Sequence, residues 1–175
     1  MNLLYPKWLE DPGRMHQNKL APHAYVKPST VIDLNGTWDF LYYQAPGVVP
    51  DSILDFDYPW HDTDKIRVPS SWQISGYGQM QYTDVLYPIA VIPPFVPDHN
   101  PVGVYHRTFE CSLKDDSSAI LRFYGVDSAF EVWVNGHYVG FSKIARNISE
   151  FDISPKLADG ENHLVVKVYQ WSDGS

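Results

Sequence analysis

Cysteine is nearly absent from this sequence. Cys111 is the single one among 175 residues, so no disulfide can form within the chain. No apolar run approaches the roughly 18 residues that a membrane-spanning helix needs. The first residues, MNLLYPKWLEDPG, lack the basic and then apolar segments of a secretory signal. These absences together predict a cytoplasmic protein that does not enter a membrane.

Positive charge is also scarce. Lys and Arg total 13 against 21 Asp and Glu, which gives a net charge of −8. A chain with this balance repels phosphate backbones, so we expect no nucleic-acid partner.

Familiar catalytic motifs are missing as well. The sequence contains no nucleophile elbow, phosphate-binding loop or dinucleotide fingerprint, and its seven histidines form no H-x-H or H-E-x-x-H pattern. Glu150 and Asp152 lie two apart and would share a strand face, which in principle suits glycoside hydrolysis. A solvated strand edge is the favoured interpretation of such close spacing.

The chain does contain many short segments with the composition of β-strands, separated by Pro, Gly and Asp turns. They are TWDFLYYQ, KIRVP, VYHRTFECS, AILRFYG, AFEVWVNGHYVGFS, SEFDIS and NHLVVKVYQW. Asn135-Gly136 divides the fifth of them and favours a type I′ hairpin turn. No segment offers an amphipathic helix of 12 residues, so the pattern predicts an all-β protein, a jelly-roll β-sandwich.

Two stretches depart from the strand pattern. Residues 1–30 carry four prolines and no sustained period, which predicts an extended N-terminal arm whose aromatic side chains dock on a surface. We place the sandwich domain at residues 31–175. Residues 69–103 form a long, proline-rich and apolar stretch, which predicts an ordered loop that packs on a neighbour.

Two carboxylates stand in positions of interest. Asp84 lies in the long loop, and Asp173 follows the last strand and precedes a glycine. On a rim, either could accept hydrogen bonds from sugar hydroxyls or bind a hard cation through oxygen. Considered singly, each is more simply a turn residue.

Several long motifs occur in an order that resembles a known family. They are LNGTWDF, VPSSWQISGYGQMQYTDVLYPI, PPFVPDHNPVGVYHRTF, VDSAFEVWVNGHYVGFS, SEFDIS and GENHLVVKVYQWSDGS, preceded by the arm WLEDPGRMHQNKLAPHAY. Together they are similar to the N-terminal sugar-binding domain of family 2 glycoside hydrolases, in particular the large bacterial β-galactosidases. The resemblance covers nearly the whole chain.

The resemblance implies a galactose-binding-like jelly roll followed by immunoglobulin-like sandwiches and a (β/α)₈ barrel. The parent enzyme would hydrolyse terminal β-D-galactosides such as lactose with retention, using two barrel glutamates. This chain would then be a piece of a longer one, without catalytic residues and inactive alone. The resemblance also implies a homo-oligomeric parent that uses Mg²⁺ and Na⁺, whereas the fragment has no cofactor of its own.

Site residues carry over from the resemblance at two positions. The family's Y-T-N motif matches Tyr82-Thr83-Asp84, where Asp replaces the Asn that contacts the galactosyl unit. An Asp cannot donate a hydrogen bond as the amide does, and it adds negative charge. W-S-D-G-S matches without change, which implies that Asp173 binds galactose and, with ligands from the barrel, sodium. Around Lys143 and Arg146 the family's common K-D-S-R is altered, and we expect altered loop contacts there.

Two alternatives stay open at this point. The chain could be a free-standing carbohydrate-binding module, or a structural β-sandwich with no affinity for sugar.

Overall fold

The computed structural model describes residues 6–22, 28, 30–81, 87–114 and 117–175. Within these residues the chain forms strands and short 3-10 helices and no α-helix. The strands are β1 (His16–Gln17), β2 (Gly36–Tyr43), β3 (Asp64–Val68), β4 (Val102–Cys111), β5 (Ile120–Phe123), β6 (Ala129–Val134), β7 (His137–Ser142), β8 (Ser149–Asp152) and β9 (Gly160–Tyr169). The 3-10 helices are Lys7–Glu10, Pro46–Val48, Asp51–Leu54, Trp60–Asp62 and Ser154–Lys156. None of the described helices is long and apolar enough to cross a membrane.

The strands assemble into two antiparallel sheets. The large sheet has seven strands in the order β1-β7-β6-β9-β4-β2-β3, and the small sheet pairs β5 with β8. The longest pairing joins β4 to β9 and runs from Val102 opposite Tyr169 to Cys111 opposite Gly160. The predicted all-β sandwich is therefore confirmed, and the predicted strands are present with ends shifted by a few residues. The two-residue β1 was not predicted.

The hairpin between β6 and β7 has the predicted turn chemistry. Asn135 and Gly136 both have positive φ, at 52° and 74°. A type I′ turn needs this conformation at both central positions, and asparagine and glycine adopt it at low cost. The prediction of a two-residue hairpin is confirmed.

The first face of the large sheet packs on the small sheet, and a hydrophobic cluster fills the space between them. This cluster contains alternate residues of the central strands, such as Phe130 and Val166, together with Phe151 of β8. Trp72 of the long loop also enters it and is 4% exposed. A Cβ atom added to Gly103 would lie 2.5 Å from the Trp72 ring, so glycine makes room for this indole.

The second face of the large sheet is buried as well, beneath chain segments rather than a second sheet. Trp8 and Leu9 of the arm cover one part of it, and Ile53 and Trp60 of the 46–62 segment cover another. The Trp8 ring stacks on Phe141 with centroids 4.2 Å apart. The predicted docking of arm aromatics thus occurs on the chain's own sandwich at Trp8. Tyr5 and Tyr25, the other two aromatics in that prediction, lie outside the described residues.

The long loop is ordered over its described parts, residues 69–81 and 87–101, and contains no strand there. Asn100 is fully buried, and its side-chain amide donates to the carbonyl of Trp171 at 3.0 Å and accepts from the amide of Trp171 at 2.9 Å. Other side chains of the loop are left largely exposed. They are Ile74, Met80, Tyr87, Val91, Ile92 and Phe95.

The packing predicts unequal costs for two phenylalanine truncations. Phe151 is 0% exposed between the two sheets, whereas Phe95 is 64% exposed. Phe151→Ala should lower the free energy of unfolding by about 3–5 kcal/mol, because it leaves a cavity that the sheets cannot close. Phe95→Ala is the matched control and should change it by less than about 0.5 kcal/mol. Urea denaturation followed by tryptophan fluorescence measures both, and equal losses would contradict this packing.

Candidate functional site

The structure describes one of the two predicted site residues, Asp173, and not the other, Asp84. Asp84 lies in residues 82–86, outside the described residues. Asp173 lies in the turn that follows β9, and its side chain is 5% exposed. The structure therefore gives a geometry for one of the two predicted sugar-binding carboxylates.

The Asp173 carboxylate is held by a buried lysine. Its Oδ1 lies 2.7 Å from Nζ of Lys143, as an ion pair outside the angular range of a hydrogen bond. The same ammonium donates hydrogen bonds to the carbonyls of Trp8, at 3.0 Å, and Asp11, at 2.6 Å. These three oxygen atoms are the polar partners that a buried ammonium needs.

The backbone around Asp173 is fixed as well. Its amide donates to the carbonyl of Leu9 at 3.1 Å. On either side of it, the hydroxyls of Ser172 and Ser175 lie 2.8 and 2.6 Å from the hydroxyl of Ser128. The turn is thereby tied both to the N-terminal arm and to the start of β6, so the position of Asp173 is set by contacts distant in sequence.

A shallow depression, open to solvent, lies beside this turn. The side chains that form its opposite wall are mostly apolar, and we call four of them, Tyr87, Val91, Ile92 and Phe95, the loop patch. They are 43%, 65%, 61% and 64% exposed. The loop is itself fastened to the arm, because Val96 N donates to Glu10 Oε1 at 3.0 Å.

The described lining of the depression limits its chemistry. Asp173 is its one carboxylate among the described residues, and no lysine or arginine lines it. Retaining glycoside hydrolysis requires a second carboxyl group about 5–5.5 Å away, which the described lining does not supply. The arrangement can accept hydrogen bonds from a ligand, and its apolar wall can pack on a ligand or on protein.

The described residues do not by themselves fit a sodium ion. Asp173 Oδ1 already pairs with an ammonium, and no group of three or more His, Cys, Asp or Glu side chains suited to a metal occurs in the described chain. Hard cations prefer six or more oxygen ligands. The predicted role of Asp173 in sodium binding therefore depends on ligands from elsewhere.

A second polar cluster was not predicted and lies under the arm. Glu131 accepts hydrogen bonds from the hydroxyl of Tyr169, at 2.5 Å, and from the indole of Trp8, at 2.9 Å. Burial raises the pKa of Glu131, and burial lowers the pKa of Lys167 on the neighbouring strand. Charged residues inside otherwise apolar strands were the sequence signal for this cluster. It is enclosed by packed side chains, which suits a structural role.

A third polar cluster surrounds His106, a histidine of β4. The ring is 3% exposed and stacks on Trp60 with centroids 4.4 Å apart. Its Nδ1 lies 2.7 Å from Asp39 Oδ2 and its Nε2 lies 3.1 Å from His163 Nδ1. Because both ring nitrogens are engaged under a tryptophan, this cluster also serves the packing of the sheet.

The other acidic candidates are also accounted for. Glu150 is 6% exposed and pairs with Arg122, at 2.5 Å between Nε and Oε1, so the interpretation as a solvated edge was wrong for this residue. Asp152 is exposed and caps the turn at Ser154. The two carboxylates therefore do not form a catalytic pair.

The environment of His106 predicts a pH-dependent stability. Burial lowers its pKa below the ordinary value of 6.5, against the opposing hydrogen bond and charge of Asp39. The unfolded chain therefore takes up a proton at a higher pH than the folded protein does. The stability that neutral His106 contributes is complete above about pH 6.5 and is lost as the pH falls toward the lowered pKa.

His106→Gln should consequently cost more free energy of unfolding at about pH 7.5 than at about pH 5. Urea denaturation at the two pH values measures the difference. His137→Gln, at an exposed position, is the control. An equal cost at His106 under both conditions would contradict this assignment.

Comparison with known proteins agrees with this architecture. The profile of the family described as "Glycosyl hydrolases family 2, sugar binding domain" matches residues 31–175. A beta-galactosidase of Actinobacillus pleuropneumoniae is 41% identical over 188 aligned residues, which cover 99% of this chain. The chain spans 18% of the length of that relative.

Solved structures show the same fold at lower identity. A beta-glucuronidase from an uncultured Clostridium has a TM-score of 0.57 at 24% identity, over 85% of this chain and 24% of its own. The beta-glucuronidase of Bifidobacterium dentium, complexed with coumarin-3-O-glucuronide, has a TM-score of 0.54 at 24% identity, over 78% and 19%. A beta-glycosidase from Bacteroides vulgatus has a TM-score of 0.56 at 23% identity, and the match covers 78% of this chain and 16% of the other. The chain belongs to glycosyl hydrolase family 2 and carries the sugar-binding domain of that family.

Proposed function

We propose that this chain is the non-catalytic N-terminal domain of a retaining β-galactosidase that hydrolyses terminal β-D-galactosides such as lactose. In this proposal the domain packs on a catalytic barrel and completes its galactose pocket. The observation that carries it is the position of Asp173, a carboxylate fixed by distant contacts beside an exposed apolar wall. The similarity to a beta-galactosidase along nearly the whole chain supports the same conclusion.

The loop patch supports the packing on a barrel. Contiguous exposed apolar side chains are uncommon on a monomer surface and usually mark a contact. Here they border the depression that contains Asp173, so a protein surface packed on the patch would also enclose that carboxylate. The remaining domains of the same chain are the partner that this arrangement favours. Asp84, in the same loop, is proposed as the second carboxylate that reaches the sugar.

The charge of the rim favours a galactoside over a glucuronide. Galactose is neutral, whereas a glucuronide carries a carboxylate that needs a cationic partner. The described lining of the depression contains Asp173 and no lysine or arginine, and Asp84 would add a further negative charge. A glucuronide carboxylate would therefore find no cationic partner among the described side chains that line the depression.

Other properties of the whole protein are proposed from the family resemblance. They are a cytoplasmic location, a homo-oligomeric assembly, and the use of Mg²⁺ and Na⁺ by the complete enzyme. Asp173 would supply one oxygen ligand to sodium, and the other ligands would come from the barrel. Nucleic acid and membranes are not expected as partners of an acidic domain of this kind.

The complete gene provides the main test of the proposed function. It is expected to continue past Ser175 into a barrel, and the encoded protein should hydrolyse aryl β-galactosides and not aryl β-glucuronides. Asp173→Asn should lower kcat/KM for the galactoside by roughly 10- to 100-fold, because a hydrogen bond to a charged group contributes about 1.5–3 kcal/mol. Asp62→Asn, a change at an exposed carboxylate that does not line the depression, is the control. Activity on glucuronides alone would overturn the choice of substrate.

The isolated 175-residue chain separates this proposal from a free-standing carbohydrate-binding module. Two hydrogen-bonding side chains on a wet rim contribute about 1 kcal/mol each, whereas a millimolar dissociation constant requires about 4 kcal/mol. Isothermal titration with lactose should therefore detect no binding. A clear titration with sub-millimolar affinity would instead favour the free-standing module.

A further inference from the structure

Two of the described lysines are buried, and Lys143 is more deeply buried than Lys167, at 2% exposed against 8%. Its side chain is 0% exposed although Lys143 comes directly after the end of β7. Within the described chain, Asp173 is the one carboxylate that pairs with it. Its ammonium has three N–H bonds and three oxygen neighbours, which are the carbonyls of Trp8 and Asp11 and the Oδ1 of Asp173. The position of the ammonium is thus set by the backbone of the arm.

We propose that Lys143 is a positioning residue, which fixes the carboxylate of Asp173 in the orientation that receives the sugar. This proposal rests on the proposed function, because it assigns Lys143 a role at the same site. The ammonium holds one carboxylate oxygen and so leaves the second for a ligand. Without this contact, the carboxylate of a short turn would be free to rotate about its two side-chain torsions.

The arm completes this arrangement from the backbone side. Leu9 O accepts the amide hydrogen of Asp173, and the carbonyls of Trp8 and Asp11 accept from Lys143. One short segment, which includes the 3-10 helix Lys7–Glu10, therefore holds the main chain of Asp173 directly and its side chain through Lys143. That segment is itself fixed because Trp8 stacks on Phe141.

A purely stabilising role explains this arrangement less well. A buried ion pair is weak support for stability, since the cost of desolvating two charges offsets much of their attraction. The rate of an enzyme depends far more strongly on the position of a group at the binding site, because a displacement of about 1 Å can reduce that rate roughly 100-fold. The two roles therefore differ in whether the effect of Lys143 passes through Asp173.

A double-mutant cycle in the complete enzyme distinguishes them. The variants are Lys143→Met, Asp173→Asn and the double variant, and the measurements are kcat/KM for an aryl β-galactoside and the inhibition constant of galactose. Lys143→Met should lower kcat/KM roughly 10- to 100-fold in the wild-type background. In the Asp173→Asn background, Lys143→Met should lower kcat/KM less than about threefold, because the effects of substituting two residues that act as a unit do not add. Equal effects in both backgrounds would overturn the proposal.

A second variant guards against misfolding of the first. Lys143→Gln keeps an N–H donor at a similar depth and should recover part of the loss in kcat/KM, with its fold checked by circular dichroism. Lys114→Met, at an exposed lysine, is the control for loss of one positive charge. A Gln variant that folds like the wild type yet is no better than Met would count against positioning.

The proposal can fail separately from the proposed function. If the wild-type protein hydrolyses no β-galactoside, the proposed function fails, and a crystal structure of the Lys143→Met protein then decides the positioning role. A carboxylate of Asp173 that has rotated or moved is the expected result. A carboxylate in its original place would overturn the proposal whatever the substrate.

Discussion

A seven-stranded sheet that must be covered on both faces is the constraint on which the rest of this structure depends. Its central strands, β6 and β9, bury side chains on both sides, so neither face can be left to water. The small sheet covers one face, and the arm with the 46–62 segment covers the other. Segments that composition alone would assign to loops therefore complete the hydrophobic core.

This double coverage explains why several polar groups are buried. Where arm and sheet meet, backbone carbonyls and charged side chains are enclosed together, and each needs a partner. Glu131 finds Tyr169 and Trp8, and Lys143 finds the arm carbonyls and Asp173. The same packing that stabilises the sandwich thus places a fixed carboxylate at its rim. Site and fold share the N-terminal arm as a common support.

The rim resembles a part of a binding site more than a complete one. It presents one paired carboxylate, an apolar wall and a shallow opening, and its described lining has no second carboxylate for acid–base catalysis. A rim of this form can accept hydrogen bonds from a ligand and can pack on a protein surface. The family to which the chain belongs is described by its sugar-binding domain, which agrees with such a surface.

The sequence by itself determined the strands, the Asn135-Gly136 turn and the family, because alternation, turn chemistry and long motifs are local properties. It also singled out Asp173, through its place in W-S-D-G-S. Tertiary structure alone decided that Trp8 closes the second sheet face and that Lys143 holds Asp173. Trp8 and Phe141 are far apart in the sequence, and Lys143 and Asp173 follow two different strands, β7 and β9, so no local pattern encodes either pairing. Glu150 illustrates the same limit, since only the pairing of β5 with β8 brings Arg122 to it.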